Sequence, residues 1–257
     1  MDETSARQNW RVLNLPLAGF VVGITADRRW EEQVSLLRRA GADVLHGPSV
    51  CSSPFSADSI GALPDDVLPA QRLVRRLIGG GVHAVTFTSG AAVRNLVKLA
   101  ADDGVVDPLL EALNRVPAAC ISETCAVEAQ LAGVDSPLLA DRPGLGSLLR
   151  VLVEVLSFSR LQLVAGGQPL TLAGCSVSLG EQRCELSEVE AGVLRTLAAR
   201  VGAVVSKEEL LTAVWSIDAD PHLTEVAISR LRRRLGTWGK IIRTVPRRGY
   251  VLDAEKR

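Results

Sequence analysis

Between His222 and Tyr250 the chain gathers Arg230, Arg232, Arg233, Arg234, Lys240, Arg243, Arg247 and Arg248 against one acid, Glu225. This happens in a sequence whose 29 Lys and Arg are balanced by 29 Asp and Glu, so the charge is local. Guanidinium groups are fixed forks of donors that suit phosphate oxygens and the acceptor pair of guanine, so the chemistry offered is recognition of a polyanion. Spacing sharpens this. At about 100 degrees per residue, a helix over residues 223–235 sets Thr224, Ile228, Leu231 and Leu235 on one face. The same rotation turns Val226, Ser229, Arg230 and Arg233 outward, with Arg232 and Arg234 at the flanks. A solvated face ordinarily mixes signs, and an almost purely cationic one repels itself unless a polyanion screens it. Double-stranded DNA is the expected partner, although the helix standing alone would read as merely soluble and basic.

Such a helix needs a scaffold, and the sequence supplies two with different patterns. From Phe20 to about Leu156, short apolar runs alternate with helix-length amphipathic runs, which predicts a parallel sheet wrapped by helices. The strand runs are residues 20–25, 42–46, 84–88, 118–121 and, more weakly, 136–139. Helices are predicted near residues 28–40, 68–78, 91–101, 124–132 and 145–156, the first with Trp30, Val34, Leu37 and Ala40 on one face and Gly41 as its stop. The Ser-, Pro- and Gly-rich segment Gly47 to Asp66 reads as a loop or crossing linker. After Ser157, short strands separated by Gly-Gly and similar turns predict a small antiparallel sheet. Ser187 with Glu190, and Ser206 with Glu209, match capping boxes opening two helices, to about Arg200 and near Trp215. The basic helix then ends at Gly236, and IIRTVPRRGYVL reads as a two-stranded hairpin. The expected organisation is an α/β domain with a parallel sheet over residues 1–157, followed by an α+β winged helix-turn-helix over residues 158–257.

At 257 residues and 47% hydrophobic, the chain can bury two cores without staples, which excludes a disordered protein. No apolar run approaches the roughly 18 to 20 residues of a membrane span, and MDETSARQNW lacks a signal-peptide layout, so a cytoplasmic protein is expected. Cys51, Cys120, Cys125, Cys175 and Cys184 have no paired spacing or nearby histidine and read as buried free thiols, with a metal or redox site as the alternative. No metal or organic cofactor is implied.

The order of these elements carries a resemblance. LSEVEAGVLRTLAARVGAVVSKEELLTAVW, then TEVAISRLRRRL, then IIRTVPRRGYVL resembles the effector domain of OmpR/PhoB-type transcriptional regulators, over about residues 161–253. The resemblance implies that the helix at 223–235 lies in the major groove with Arg230 at base edges. It implies that Arg232 and Trp215 contact the DNA backbone and that Tyr250 stands in the wing beside the phosphates. Ser229 and Arg233 share the outward face with Arg230, and Arg234 stands at its flank. Where the family has Arg-Gly after the Thr-Val of the wing, this chain has Pro246-Arg247-Arg248, so minor-groove insertion would come from Arg247 or Arg248 in a shifted position.

A phosphorylatable receiver commonly precedes such an effector, but a receiver needs carboxylates after its first strand and an aspartate ending its third. Here those places hold Thr25-Ala26-Asp27 and Phe87-Thr88-Ser89. GITADRRWEEQVSLLRRAGADVLHGPSV, GGGVHAVTFTSGAAVRNLVKLA and AACISETCAVEAQLAGV instead resemble uroporphyrinogen-III synthase, which cyclises hydroxymethylbilane. Ligands of open parallel sheets bind beyond the carboxyl ends of strands, where helix N-termini offer N–H groups to anions. Thr25, Arg28, Arg29, Thr88, Ser89, Gly90, Ser122 and Thr124 are expected along that edge, with a tetrapyrrole or another anionic ligand as guest. Alternatively, Ser89 and Thr124 cap their helices and Arg28 and Arg29 are solvated.

Three departures from the synthase argue against turnover. The strand-Thr-Ser-helix unit occurs once where the family has it twice, and Tyr250 is the only tyrosine. The turn Ser122-Glu123-Thr124-Cys125-Ala126 also puts a carboxylate where a polycarboxylate substrate would lie. No catalytic residue is assigned. The sequence therefore reads as a DNA-binding regulator with a synthase-like sensor or interaction domain, with an active synthase carrying a DNA reader as the alternative; a third reading of the first domain is a dimerisation module without a ligand, giving a homodimer.

Overall fold

Five short apolar runs form parallel strands in the first part of the chain: β1 (Val21–Ile24), β2 (Asp43–His46), β3 (Ala84–Phe87), β4 (Ala118–Cys120) and β5 (Leu138–Leu139). Their order across the sheet is β2-β1-β3-β4-β5, every neighbouring pair parallel. Parallel neighbours cannot be joined by tight turns, and helices make the crossovers. These are α1 (Trp30–Arg39), α2 (Leu68–Ile78), α3 (Gly90–Asp102), α4 (Val106–Arg115), α5 (Glu123–Leu131) and α6 (Leu145–Phe158). Helix α1 packs with α6, whereas α2, α3, α4 and α5 pack among themselves, which covers both faces of the sheet. The computed structural model describes residues 15–51, 61–215, 220 and 222–256. Residues 52–60 of the expected loop, and the N-terminal segment read for a leader, lie outside the described residues.

Helix α4 was not anticipated. It follows an Asp-Asp-Gly turn and carries Pro108 in its first turn, where a missing N–H costs nothing, and it buries Leu109, Ala112 and Leu113. Phe87, Leu96, Leu109, Leu113 and Cys120 belong to the core that α4 helps close.

The sheet centre also holds polar groups. Gln33 of α1 is 4% exposed, and its amide donates to the Thr86 hydroxyl at 2.8 Å. Thr86 in turn donates to the Gly23 carbonyl at 3.2 Å, and the Thr25 hydroxyl donates to the Thr86 carbonyl at 2.8 Å. Buried polar groups are costly when a partner is removed from one side only. Thr86→Val, nearly isosteric, strips the Gln33 amide of its acceptor and is expected to destabilise the protein by about 2 kcal/mol. Gln33→Leu together with Thr86→Val should recover part of that loss. Denaturant unfolding of the three variants checks it, and a neutral single variant would remove the network from the stability account.

After Ser159 an antiparallel sheet forms from β6 (Leu161–Ala165), β7 (Gln168–Ala173), β8 (Ser176–Leu179) and β9 (Gln182–Glu185), and β12 (Glu255–Lys256) adds to the β6 edge. Helices α7 (Glu188–Ala199), α8 (Lys207–Val214) and α9 (His222–Leu235) follow. Both expected capping boxes are present, Ser187 with Glu190 and Ser206 with Glu209. Gly236, at φ 59, ends α9, and a 3-10 segment (Gly236–Ile241) leads into the hairpin β10 (Ile242–Val245) and β11 (Gly249–Leu252). Leu163, Leu170, Leu194, Leu210, Ile228, Leu231 and Leu252 share one core. The chain thus divides into two compact units, Met1–Phe158 and Ser159–Arg257.

Candidate nucleic-acid interface and ligand cleft

The face of α9 predicted as core is core. Thr224, Ile228 and Leu231 are at most 1% exposed, Ala227 is buried with them, and Leu235 is half-buried. Burial of that stripe fixes the helix rotation and so exposes Ser229, Arg230, Arg233 and Arg234 together, while Val226 is half-buried. The single acid on the helix is neutralised locally. Glu225 pairs with Lys207 of α8, and that hydrogen bond and charge hold its carboxyl below the usual range. Among the described residues, Arg230, Arg233, Arg247 and Arg248 make no ion pair. Arg230, Arg233 and Arg234 line an open groove of about 570 Å3 with Ser187 and Glu190.

The wing presents the second cationic group. Residues 246–248 form the turn between β10 and β11, closed by the Arg248 N–H donating to the Val245 carbonyl at 3.0 Å. Arg247 sits at φ 61, a left-handed conformation that side-chain-bearing residues rarely adopt. Both Arg247 and Arg248 are exposed at this tip.

Two expectations from the family resemblance meet a different setting. Arg232 is half-buried and bonded within the chain. Its Nε and Nη2 donate to the Ile242 carbonyl at 3.0 and 2.7 Å, and Nη2 also donates to the Thr244 hydroxyl at 2.9 Å. Tyr250, expected beside phosphates, is 5% exposed and part of the core, with the Arg232 guanidinium carbon 5.8 Å from its ring centre. Trp215 caps α8 and is half-buried against the same core.

In the first unit the direction of the crossovers reverses between β1 and β3, and a cleft of about 330 Å3 opens there at the carboxyl ends. Asp27, Arg28, Arg29, Thr88, Ser89 and Ile121 contribute to its lining. The turn after β1 is held by His46, whose Nε2 donates to the Ala26 carbonyl at 2.7 Å while its ring stacks on Trp30 at 4.4 Å. Arg29 takes a left-handed φ of 54, and its guanidinium grips Glu32 at 2.7 and 2.8 Å.

The rest of the expected edge is not brought to the cleft. Thr25 is fully buried because its hydroxyl is drawn to the neighbouring strand. Gly90 opens α3, and a Cβ built there would stand 2.5 Å from Glu128, away from the cleft lining. Ser122 accepts from the Cys125 N–H and is itself the cap of α5, while Thr124, the second residue of that helix, lies exposed. Ser89 both borders the cleft and caps α3 through the Ala92 N–H. Cys120 and Cys125 are buried free thiols, and Cys51, Cys175 and Cys184 are half-buried.

Two family models match the chain, one in each unit. Residues 181–252 match the family model described as transcriptional regulatory protein, C terminal, and residues 63–150 match that of uroporphyrinogen-III synthase HemD. The response regulator protein PmrA of Pseudomonas aeruginosa is 38% identical over 94 residues, 36% of this chain and 42% of its own. A putative uroporphyrinogen-III synthase of Methanothermobacter thermautotrophicus is 46% identical over 59 residues, 23% of this chain and 22% of its own. Each of these two matches spans less than half of the relative's length. The DNA-binding domain of Klebsiella pneumoniae RstA, solved in complex with the RstA box, matches at 29% identity and a TM-score of 0.29, over 35% of this chain and 95% of that one. The chain joins a uroporphyrinogen-III-synthase-like domain to a winged-helix domain of the OmpR/PhoB type.

Proposed function

We propose that the protein is a transcriptional regulator that reads double-stranded DNA with α9 and the β10–β11 wing. The observation that carries this reading is the exposed row Ser229, Arg230, Arg233 and Arg234, fixed in orientation by the buried stripe behind it, with no ion pair to Arg230 or Arg233 among the described residues. Arg230 is the base-reading residue, bidentate to guanine. Arg233 and Arg234 meet phosphates, and Arg247 and Arg248 follow the minor groove from the wing tip.

The first unit acts as a sensor or interaction domain. Its cleft is at the small end of ligand sites and holds Arg28 and Arg29 at its rim, which suits a guest smaller than four pyrrole rings. This size, together with the buried Thr25 and the grip of Glu32 on Arg29, favours a regulator over a working synthase.

Arg230→Ala is expected to relax preference at one base position by about 1–3 kcal/mol and leave binding to random duplex little changed. Arg233→Ala should weaken all duplexes alike and lower the salt slope by about one. Binding of both variants to a selected and a scrambled duplex over a salt series checks this, and identical behaviour of the two variants would overturn the assignment of roles.

A further inference from the structure

A second cavity, of about 450 Å3, shares Arg234 with the groove lined by Arg230 and Arg233. Its floor is apolar: Leu170, Val177, Leu179 and Ile241 are all buried, and Leu235 and Trp238 complete the wall. The indole N–H of Trp238 is already satisfied by the Gln182 side chain at 2.7 Å, so the ring offers its apolar surface. Two cations, Arg183 and Arg234, stand in the lining and no carboxylate does. Burial pushes the Cys184 thiol upward, which keeps that wall neutral.

Both guanidiniums retain donors. Arg183 donates from Nε to the Ser176 hydroxyl at 2.6 Å and from Nη2 to Glu185 at 3.3 Å, leaving N–H groups on Nη1. Arg234 is more than half exposed and meets Glu190 only at 3.7 Å. An apolar chamber of this volume with two guanidiniums in its lining is the common form of a site for a small amphipathic acid.

We propose that this cavity binds an organic carboxylate with an apolar body of about one or two fused rings, its carboxylate held between Arg183 and Arg234. Arg234 lines both the cavity and the DNA-facing groove, so an anion bound to it removes one cation from the DNA face. Occupancy therefore lowers DNA affinity, and the salt slope falls by about one. The coupling rests on the DNA-reading function proposed above, whereas binding of the acid does not.

The test uses the full chain and two probes of one shape, 1-naphthoate and neutral 1-naphthalenemethanol. Titration calorimetry is expected to show naphthoate binding at least about tenfold tighter than the alcohol. Arg183→Gln should remove that preference and Arg183→Lys should keep most of it; both lose the Nε bond to Ser176, so loss of that bond does not distinguish them, and thermal unfolding of both variants checks that each is folded. Naphthoate should weaken binding of a selected duplex by the parent and leave Arg183→Gln unaffected. Equal affinity for acid and alcohol, a preference untouched by Arg183→Gln, or no binding at millimolar probe would each overturn the site. Naphthoate binding with no change in DNA affinity would overturn the coupling alone. Absence of selective DNA binding without probe would count against the function proposed above and not against the cavity.

Discussion

Gly249→Ala is expected to unfold the winged-helix unit at a temperature lower by more than about 10 °C, the largest stability effect anticipated for a single methyl group in this chain. Gly249 opens β11 at φ 134, and a Cβ placed there would lie 2.0 Å from the Val205 carbonyl oxygen and 2.8 Å from the Ser206 Cα. Neither atom can yield. Val205 and Tyr250 exchange both backbone hydrogen bonds, at 2.8 and 2.9 Å, and Ser206 is the cap of α8. A methyl group therefore breaks either the bridge that docks the wing or the start of α8, at a cost above about 3 kcal/mol. Gly202→Ala is the control. Gly202 has φ 75 but nothing within 4 Å of a built Cβ, so only about 1–2 kcal/mol of left-handed strain is expected. Thermal unfolding of the two variants decides the matter, and equal shifts would mean that the close approach at Val205 contributes nothing.

Arg232→Ala is expected to lower stability by about 2 kcal/mol and to weaken every DNA duplex alike. The guanidinium joins α9 to β10 through the Ile242 carbonyl and the Thr244 hydroxyl, and it lies over Tyr250. It ties the wing, and with it Arg247 and Arg248, to α9. A lysine supplies the charge and not the fork of donors. If Arg232 served only as a phosphate contact, Arg232→Lys would restore DNA affinity and the melting temperature would not move in either variant. If it positions the wing, Arg232→Lys restores neither in full, and the salt slope falls in both as the wing arginines lose their contacts.

Periodicity made α9 legible before its surroundings were known. Thr224, Ile228 and Leu231 repeat at helical spacing, and their burial decides which arginines face outward. Capping chemistry was equally plain because Ser187 with Glu190, and Ser206 with Glu209, act within one turn. Interactions between distant segments were not. Nothing near Arg232 in sequence announces that the Ile242 carbonyl needs a donor, and the burial of Tyr250 depends on the docking of β11 at Val205.

The same division holds in the first unit. The strand that ends before Thr25 was readable, but which side of it Thr25 would face depended on its pairing with β3, and the hydroxyl went inward to the Thr86 carbonyl. Gln33 looks like a surface residue of an amphipathic helix until Thr86 is set beneath it. Ser122, two residues before Thr124, won the capping position of α5 because its extended backbone aims the hydroxyl at the Cys125 N–H. β12 is two polar residues long, below any sequence signal, and exists because the edge of β6 is available to it.

Sequence reading by α9 through Arg230 stands or falls on a binding series with selected duplexes. Duplexes enriched from a random pool by the full chain are to be bound by the parent and by Arg230→Ala between low and physiological salt. The parent is expected to prefer its enriched site over scrambled duplex by at least about a hundredfold. Arg230→Ala should lose roughly tenfold or more of that preference at a single guanine while its affinity for scrambled duplex stays close to the parent's. No enrichment from the pool, or an enriched site bound as selectively by Arg230→Ala as by the parent, would contradict it.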